Sequence, residues 1–187
     1  QVFSIAVALG RNDIVVVLLQ SGLNVNGCNE YGRTPLMEAS IGGQNDMIRL
    51  LTDFEADVST ESELTLSDSI LSTFASTDRE FERPSIPEAL LNHRITALCL
   101  AAVCNQLSAF DELIKAGADV NQETNGKTAL MWACRLDQAD IAKYLLQNGA
   151  DPNHESETGD SPLLAACQFG SKKLLQILEQ HGADFYK

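Results

Sequence analysis

Two short apolar runs separated by a polar break recur along this chain, most fully at residues 127–153, KTALMWACRLDQADIAKYLLQNGADPN. The first run is Ala129, Leu130, Met131, Ala133 and Cys134; the second is Ile141, Ala142, Tyr144, Leu145 and Leu146. The spacing 141, 144, 145 puts apolar side chains on one face of a helix. Gly149 follows the last of them, where a helix stops on a residue that accepts φ > 0. Asp151-Pro152-Asn153 then turns or extends the backbone. The pattern predicts helix, tight turn, helix and loop within about 33 residues.

The unit returns at fixed offsets. Thr34-Pro35-Leu36-Met37-Glu38-Ala39 matches Thr128-Ala129-Leu130-Met131-Trp132-Ala133, as do Thr96-Ala97-Leu98-Cys99-Leu100-Ala101 and Ser161-Pro162-Leu163-Leu164-Ala165-Ala166. Its second half recurs as LLQSGLNVN (18–26), LIKAGADVN (113–121), LLQNGADPN (145–153) and LEQHGADFY (178–186). These stretches resemble the ankyrin repeat, whose pattern is roughly TPLHxAAxxGHxxIVxLLLxxGADVN. The resemblance implies an all-α solenoid of about five stacked helix–turn–helix repeats, with no single globular core and stability carried by neighbour-to-neighbour interfaces. The repeats fall at about 1–26, 27–58, 94–121, 122–153 and 154–187, with an insertion at 59–93 after the second.

Each repeat adds a detail. The first supplies helices at residues 1–9 and 12–21, with Val2 and Phe3 exposed unless something covers them. Gln1 already lies inside a repeat, so a segment of a longer protein is expected. Gly10, Gly43 and Gly170 mark the turn between helices. The second repeat should have helices at 35–42 and 45–53, opened by Pro35. Its second helix ends on Glu55 instead of Gly, which predicts a distorted end, because a left-handed residue is costlier for Glu. Phe185-Tyr186 replaces the usual Val-Asn at the end of the last repeat.

Thr34 and Thr96 lie 62 residues apart, about 29 more than one repeat. The inserted segment is rich in Ser, Thr, Asp and Glu. Leu66, Ile70, Leu71 and Phe74 fall near helical spacing after a capping pattern, Thr65-x-x-Asp68, and Pro87 could open a second short helix. The expectation is a large structured loop with one or two short helices, or a degenerate repeat. Thr60, Thr65 and Thr77 each precede an acid by three residues, a pattern suited to an acidophilic kinase.

A net charge of −13 over 187 residues argues against nucleic acid and anionic membrane as partners. Five cysteines without CxxC or Cys/His spacing predict neither disulfides nor zinc, and suit a reducing cytoplasm or nucleus. Cys99, Cys134 and Cys167 should be buried and Cys28 exposed. No apolar run reaches membrane length. His93, His154 and His181 are scattered, no Ser/His/Asp set or phosphate loop occurs, and neither an enzyme nor a cofactor is predicted. His181 falls at a helix end, where it can favour the last carbonyls.

The resemblance places partners, as a rule, on a concave face built from first helices and projecting loop fingers. Carried over, that gives three columns: Ile5, Glu38, Leu100, Trp132 and Ala165; Ala8, Ile41, Val103, Arg135 and Gln168; and Leu9, Gly42, Cys104, Leu136 and Phe169. Trp132, expected to be partly exposed, would form an apolar patch with Leu136 and Phe169, with Arg135 alongside. Finger residues add charge: Glu30, Tyr31 and Arg33; Asn125 and Lys127; Glu155, Glu157 and Asp160. The partner-binding set is therefore Tyr31, Arg33, Leu100, Lys127, Trp132, Arg135, Leu136, Glu157, Asp160 and Phe169. It predicts non-catalytic binding by a monomer of a protein or peptide with basic residues beside an apolar anchor. The other reading is an architectural segment of a larger protein, including the cytosolic part of a membrane protein. Leu113, Asp119, Val120 and Asn121 resemble the surroundings of ankyrin asparagines hydroxylated by a 2-oxoglutarate-dependent oxygenase, which makes Asn121 a candidate for that modification.

Overall fold

Thr34, Thr96, Thr128 and Ser161 each stand one residue before a helix, in extended backbone. Their hydroxyl oxygens accept the N–H of Met37, Cys99, Met131 and Leu164 at 3.1–3.3 Å, satisfying a donor that the first turn would leave orphaned. The computed structural model describes residues 2–63 and 94–185, with the backbone alone at 62 and 63. Paired helices follow in order: α1 (Val2–Ala8) and α2 (Asn12–Gln20), α3 (Pro35–Ile41) and α4 (Asn45–Asp53), α5 (Ala97–Val103) and α6 (Leu107–Lys115), α7 (Ala129–Arg135) and α8 (Ala139–Gln147), α9 (Pro162–Gln168) and α10 (Lys172–Gln180). The first helices stack α1 on α3 on α5 on α7 on α9. Behind them α2 meets α4, α4 meets α6 and α8 meets α10, while α6 meets α8 through the tilted rings of Phe110 and Tyr144, 6.0 Å apart.

The helices of the second repeat lie within a residue of their predicted bounds, and Leu113, Leu145 and Leu178 are fully buried. Burying one such leucine is worth about 2 kcal/mol, which is why the spacing shows through so clearly. The turn between paired helices is left-handed at Gly10, Gly43 and Gly170, and equally at Asn105 and Asp137, two residue types that tolerate that conformation. Glu55 corrects the expected distortion. It takes φ 63°, its N–H donates to Thr52 and that of Ala56 to Leu51, and the helix closes as it does at Gly117. The packing of α4 imposes the conformation and the side chain bears the strain.

Loop asparagines lace the repeats together. Asn26 accepts the Asp57 N–H; Asn121 accepts that of Asp151 and donates to the Gly149 carbonyl; Asn153 does the same with Asp184 and Gly182. On the second helices, Glu112 is buried and held by Arg49 and Lys115.

The long insertion leaves the stack intact. Ser62 pairs with Ile95 and Glu63 with Arg94 as two antiparallel strands, β1 (Ser62–Glu63) and β2 (Arg94–Ile95), while α3 packs directly on α5. Those positions match the base of each ordinary finger: Asn29 with Arg33, Thr124 with Lys127, Ser156 with Asp160. The helices of the second and third repeats touch directly across the point of insertion. The inserted segment thus leaves and rejoins the described chain at the position of a finger base. Its expected helices, Thr65, Thr77 and His93 lie outside the described residues, as does Tyr186.

Both ends of the stack expose columns that neighbours cover inside it. Val17 is 64% exposed and Ile14 37%, whereas Met47, Ala109, Ile141 and Leu174, equivalent to Ile14, are buried. At the other end Leu164 is exposed where Met37, Cys99 and Met131 are buried. Cys28 is exposed, and Cys99, Cys104 and Cys134 are buried. Cys167 is exposed, contrary to expectation, since among the described residues no further first helix lies against α9 as α9 lies against α7.

Candidate protein-binding face

The capping residues aim each first helix so that its fifth, eighth and ninth box positions share one side of the stack. Tight packing of small residues on α5 and α7 takes several of these out of reach. Leu100 is 1% exposed and Trp132 6%, and both belong to the continuous core. Val103 and Cys104 are buried as well, and burial pushes the Cys104 thiol up to about 11. This corrects the expected exposure of Trp132. The indole stands in a column between Leu100 and Ala165, and the small Ala165 side chain does not push it outward.

Arg33 is also buried. Its guanidinium lies 3.2 Å from Glu38 and 5.5 Å from the ring centroid of Tyr31, which is exposed. Asn29 completes this knot, donating to Glu38 and to the Ser4 hydroxyl and accepting the Tyr31 and Arg33 N–H groups. Arg33 thus braces a finger against the first helices, a role that its charge alone did not disclose.

Within repeats three to five the accessible part of the face lies on the fourth and fifth; in the first repeat Ile5, Ala8 and Leu9, members of the same columns, are exposed as well. Lys127, Met131, Arg135, Asp160, Ser161, Ala165 and Gln168 line one shallow depression between α7 and α9. Lys127 pairs with Asp160 at 3.0 Å. Both precede the capping residue of consecutive repeats, an equivalence with opposite charge that the sequence did display. Arg135 is half-buried, its guanidinium 5.9 Å from the ring centroid of Phe169, which is 45% exposed. Leu136 is half-buried against the core, and Glu157 is exposed at a fingertip outside the depression. Lys127, Arg135, Asp160 and Phe169 are brought together; Tyr31 and Arg33 sit far along the stack with the second repeat. The link between Glu123 and His154, 2.9 Å apart in neighbouring fingers, was not foreseen. Asn121 spends its amide on the next loop, and His181 donates from Nδ1 to the Ile177 carbonyl.

Among the described residues no group of three or more His, Cys, Asp or Glu is arranged to hold a metal ion, and no helix is long and apolar enough to cross a membrane. The face offers shape, one aromatic ring and fixed charge, the means of recognition.

The chain matches a family model described as ankyrin repeats (3 copies) over residues 75–156 and 98–187, and one described as ankyrin repeats (many copies) over residues 3–52. Similar relatives include the ankyrin repeat and KH domain-containing protein mask-1 of Caenorhabditis elegans, 30% identical over 96% of this chain and 8% of the relative. The nuclear factor NF-kappa-B p105 subunit of Gallus gallus is 28% identical over 96% of this chain and 16% of its own length. The putative ankyrin repeat protein YahD of Escherichia coli is 28% identical over 97% of this chain and 96% of its own length. The chain therefore spans a small part of the first two relatives and nearly all of the third.

Proposed function

Because the chain belongs to the ankyrin repeat family, whose members are protein-interaction modules, we propose that it binds a partner protein or peptide on the concave face of repeats three to five, acting as a non-catalytic monomer in the cytoplasm or nucleus. The observation that carries this reading is the depression between α7 and α9, lined by Arg135, whose guanidinium lies 5.9 Å from the ring centroid of the exposed Phe169. Aromatic and arginine side chains dominate the energetics of protein interfaces. The stacked helices hold these groups in place beforehand, so little ordering entropy opposes binding. Repeat three contributes support, since Leu100, Val103 and Cys104 are buried there. A photo-crosslinking residue in place of Phe169, with Lys143 on the exposed side of α8 as the control, tests the face. Partner adducts should form from position 169 and not from 143; adducts from 143 alone would place binding on the opposite side.

A second reading is architectural: a segment of a longer stack that spaces other domains. Exposed Val2 and Ile14 favour it, because the equivalent residues are buried in every inner repeat. A Val17→Cys variant alkylated more slowly in the protein expressed in cells than in the isolated chain would support this reading. Equal rates would remove it.

A further inference from the structure

We propose that the depression between α7 and α9 receives a carboxylate from an acidic, apolar peptide segment of the partner, with Arg135 as its counter-charge. This rests on the concave-face reading above and adds the partner's chemistry to it. Two cations border the depression. Lys127 is committed to Asp160 at 3.0 Å. Arg135 has no carboxylate within ion-pair distance among the described residues; its guanidinium lies over the Phe169 ring instead.

The geometry favours an anion over a cation at this point. Arginine cannot shed its charge, and its planar fork presents paired N–H donors that match a carboxylate. Contact with the Phe169 face restrains the fork without consuming those donors. Arg135 is half-buried and its guanidinium lies against the Phe169 ring, so an incoming carboxylate meets a fork already held in place. Phe169 supplies apolar area beside the charge, and Met131 and Ala165 line the depression without adding charge. The acidic fingertip residues Glu155 and Glu157 invite basic side chains, yet neither lines the depression. The chain's charge of −13 repels an acidic partner at long range, so the recognition is local and short-ranged.

A displayed library of random linear peptides, panned on the folded chain, supplies the probe. Enriched peptides should carry Asp or Glu next to an aromatic or branched side chain. Their affinity by fluorescence anisotropy should fall about tenfold with Arg135→Gln and less with Arg135→Lys. Changing the peptide acid to its amide should cost the same in the native chain and nothing further in Arg135→Gln, the signature of a direct pair. Circular dichroism confirms that each variant is folded. Peptides weakened by Phe169→Ala but indifferent to Arg135→Gln, or basic peptides weakened by Glu157→Gln, would overturn the carboxylate and leave the concave face standing. Peptides indifferent to both Phe169→Ala and Arg135→Gln would overturn the face as well, and a library that yields no binder overturns the proposal.

Discussion

Arg49 grips Glu112 across the seam between the second and third repeats with two hydrogen bonds, Nε to Oε2 at 2.6 Å and Nη2 to Oε1 at 2.9 Å. Glu112 occupies a column that is Val17, Leu50, Tyr144 and Ile177 in the other repeats. A buried carboxylate there is tolerable only because Arg49 and Lys115 meet both of its oxygens.

The pair sets a pH window. The hydrogen bond from Arg49 is the chief reason that the Glu112 carboxyl is held down to about 2, against an ordinary value of 4.5. A folded value below the unfolded one means that the stabilisation is complete above pH 4.5 and is lost as pH falls from there towards 2. Thermal melts of the native chain and of Glu112→Gln should differ most near neutral pH and converge across that interval. A difference that stays constant down to pH 2 would deny the pair this role.

Glu55→Gly should stabilise the chain by about 1 kcal/mol, since Glu55 is held at φ 63° and glycine removes the left-handed penalty. Urea unfolding followed by Trp132 fluorescence measures it; a lower midpoint would show that the Glu55 side chain contributes more than its backbone costs.

Equivalent isoleucines at the end and in the middle of the stack should behave differently. Ile141→Ala removes a side chain buried between repeats and should cost about 3 kcal/mol. Ile14→Ala, in a column left open, should cost about 1 kcal/mol or less. Equal losses would mean that Ile14 is covered in solution.

Thiol chemistry should follow the same geometry. In the folded chain Cys28 and Cys167 should alkylate readily while Cys99, Cys104 and Cys134 resist. Burial drives the Cys134 thiol up to about 12, so little thiolate exists there at neutral pH. Mass spectrometry after brief iodoacetamide treatment reads the pattern; labelling of Cys134 at the rate of Cys28 would show that α7 opens.

The repeated helices were legible in the sequence because each apolar position recurs at a fixed offset, and burial at Leu113, Leu145 and Leu178 depends only on that offset. The binding face was read less well. Whether Trp132 reaches water depends on how the neighbouring first helices pack on α7, and there it is 6% exposed. Arg33 looked like a free finger charge until Glu38, Asn29 and Tyr31 closed around it. Lys127 and Asp160 could have been paired in advance, since both stand immediately before a capping residue. The expected distortion at Glu55 failed because tertiary packing outweighs a local preference of about 1 kcal/mol.

The strand pairing at Ser62 and Ile95 has a consequence for how this chain can change over evolutionary time. The main chain departs from the spiral and rejoins it at adjacent points, so the residues between are a graft whose length does not alter the pitch of the coil. Natural selection can lengthen, shorten or rewrite that stretch without retuning any repeat. An engineer has the same freedom to seat foreign cargo there.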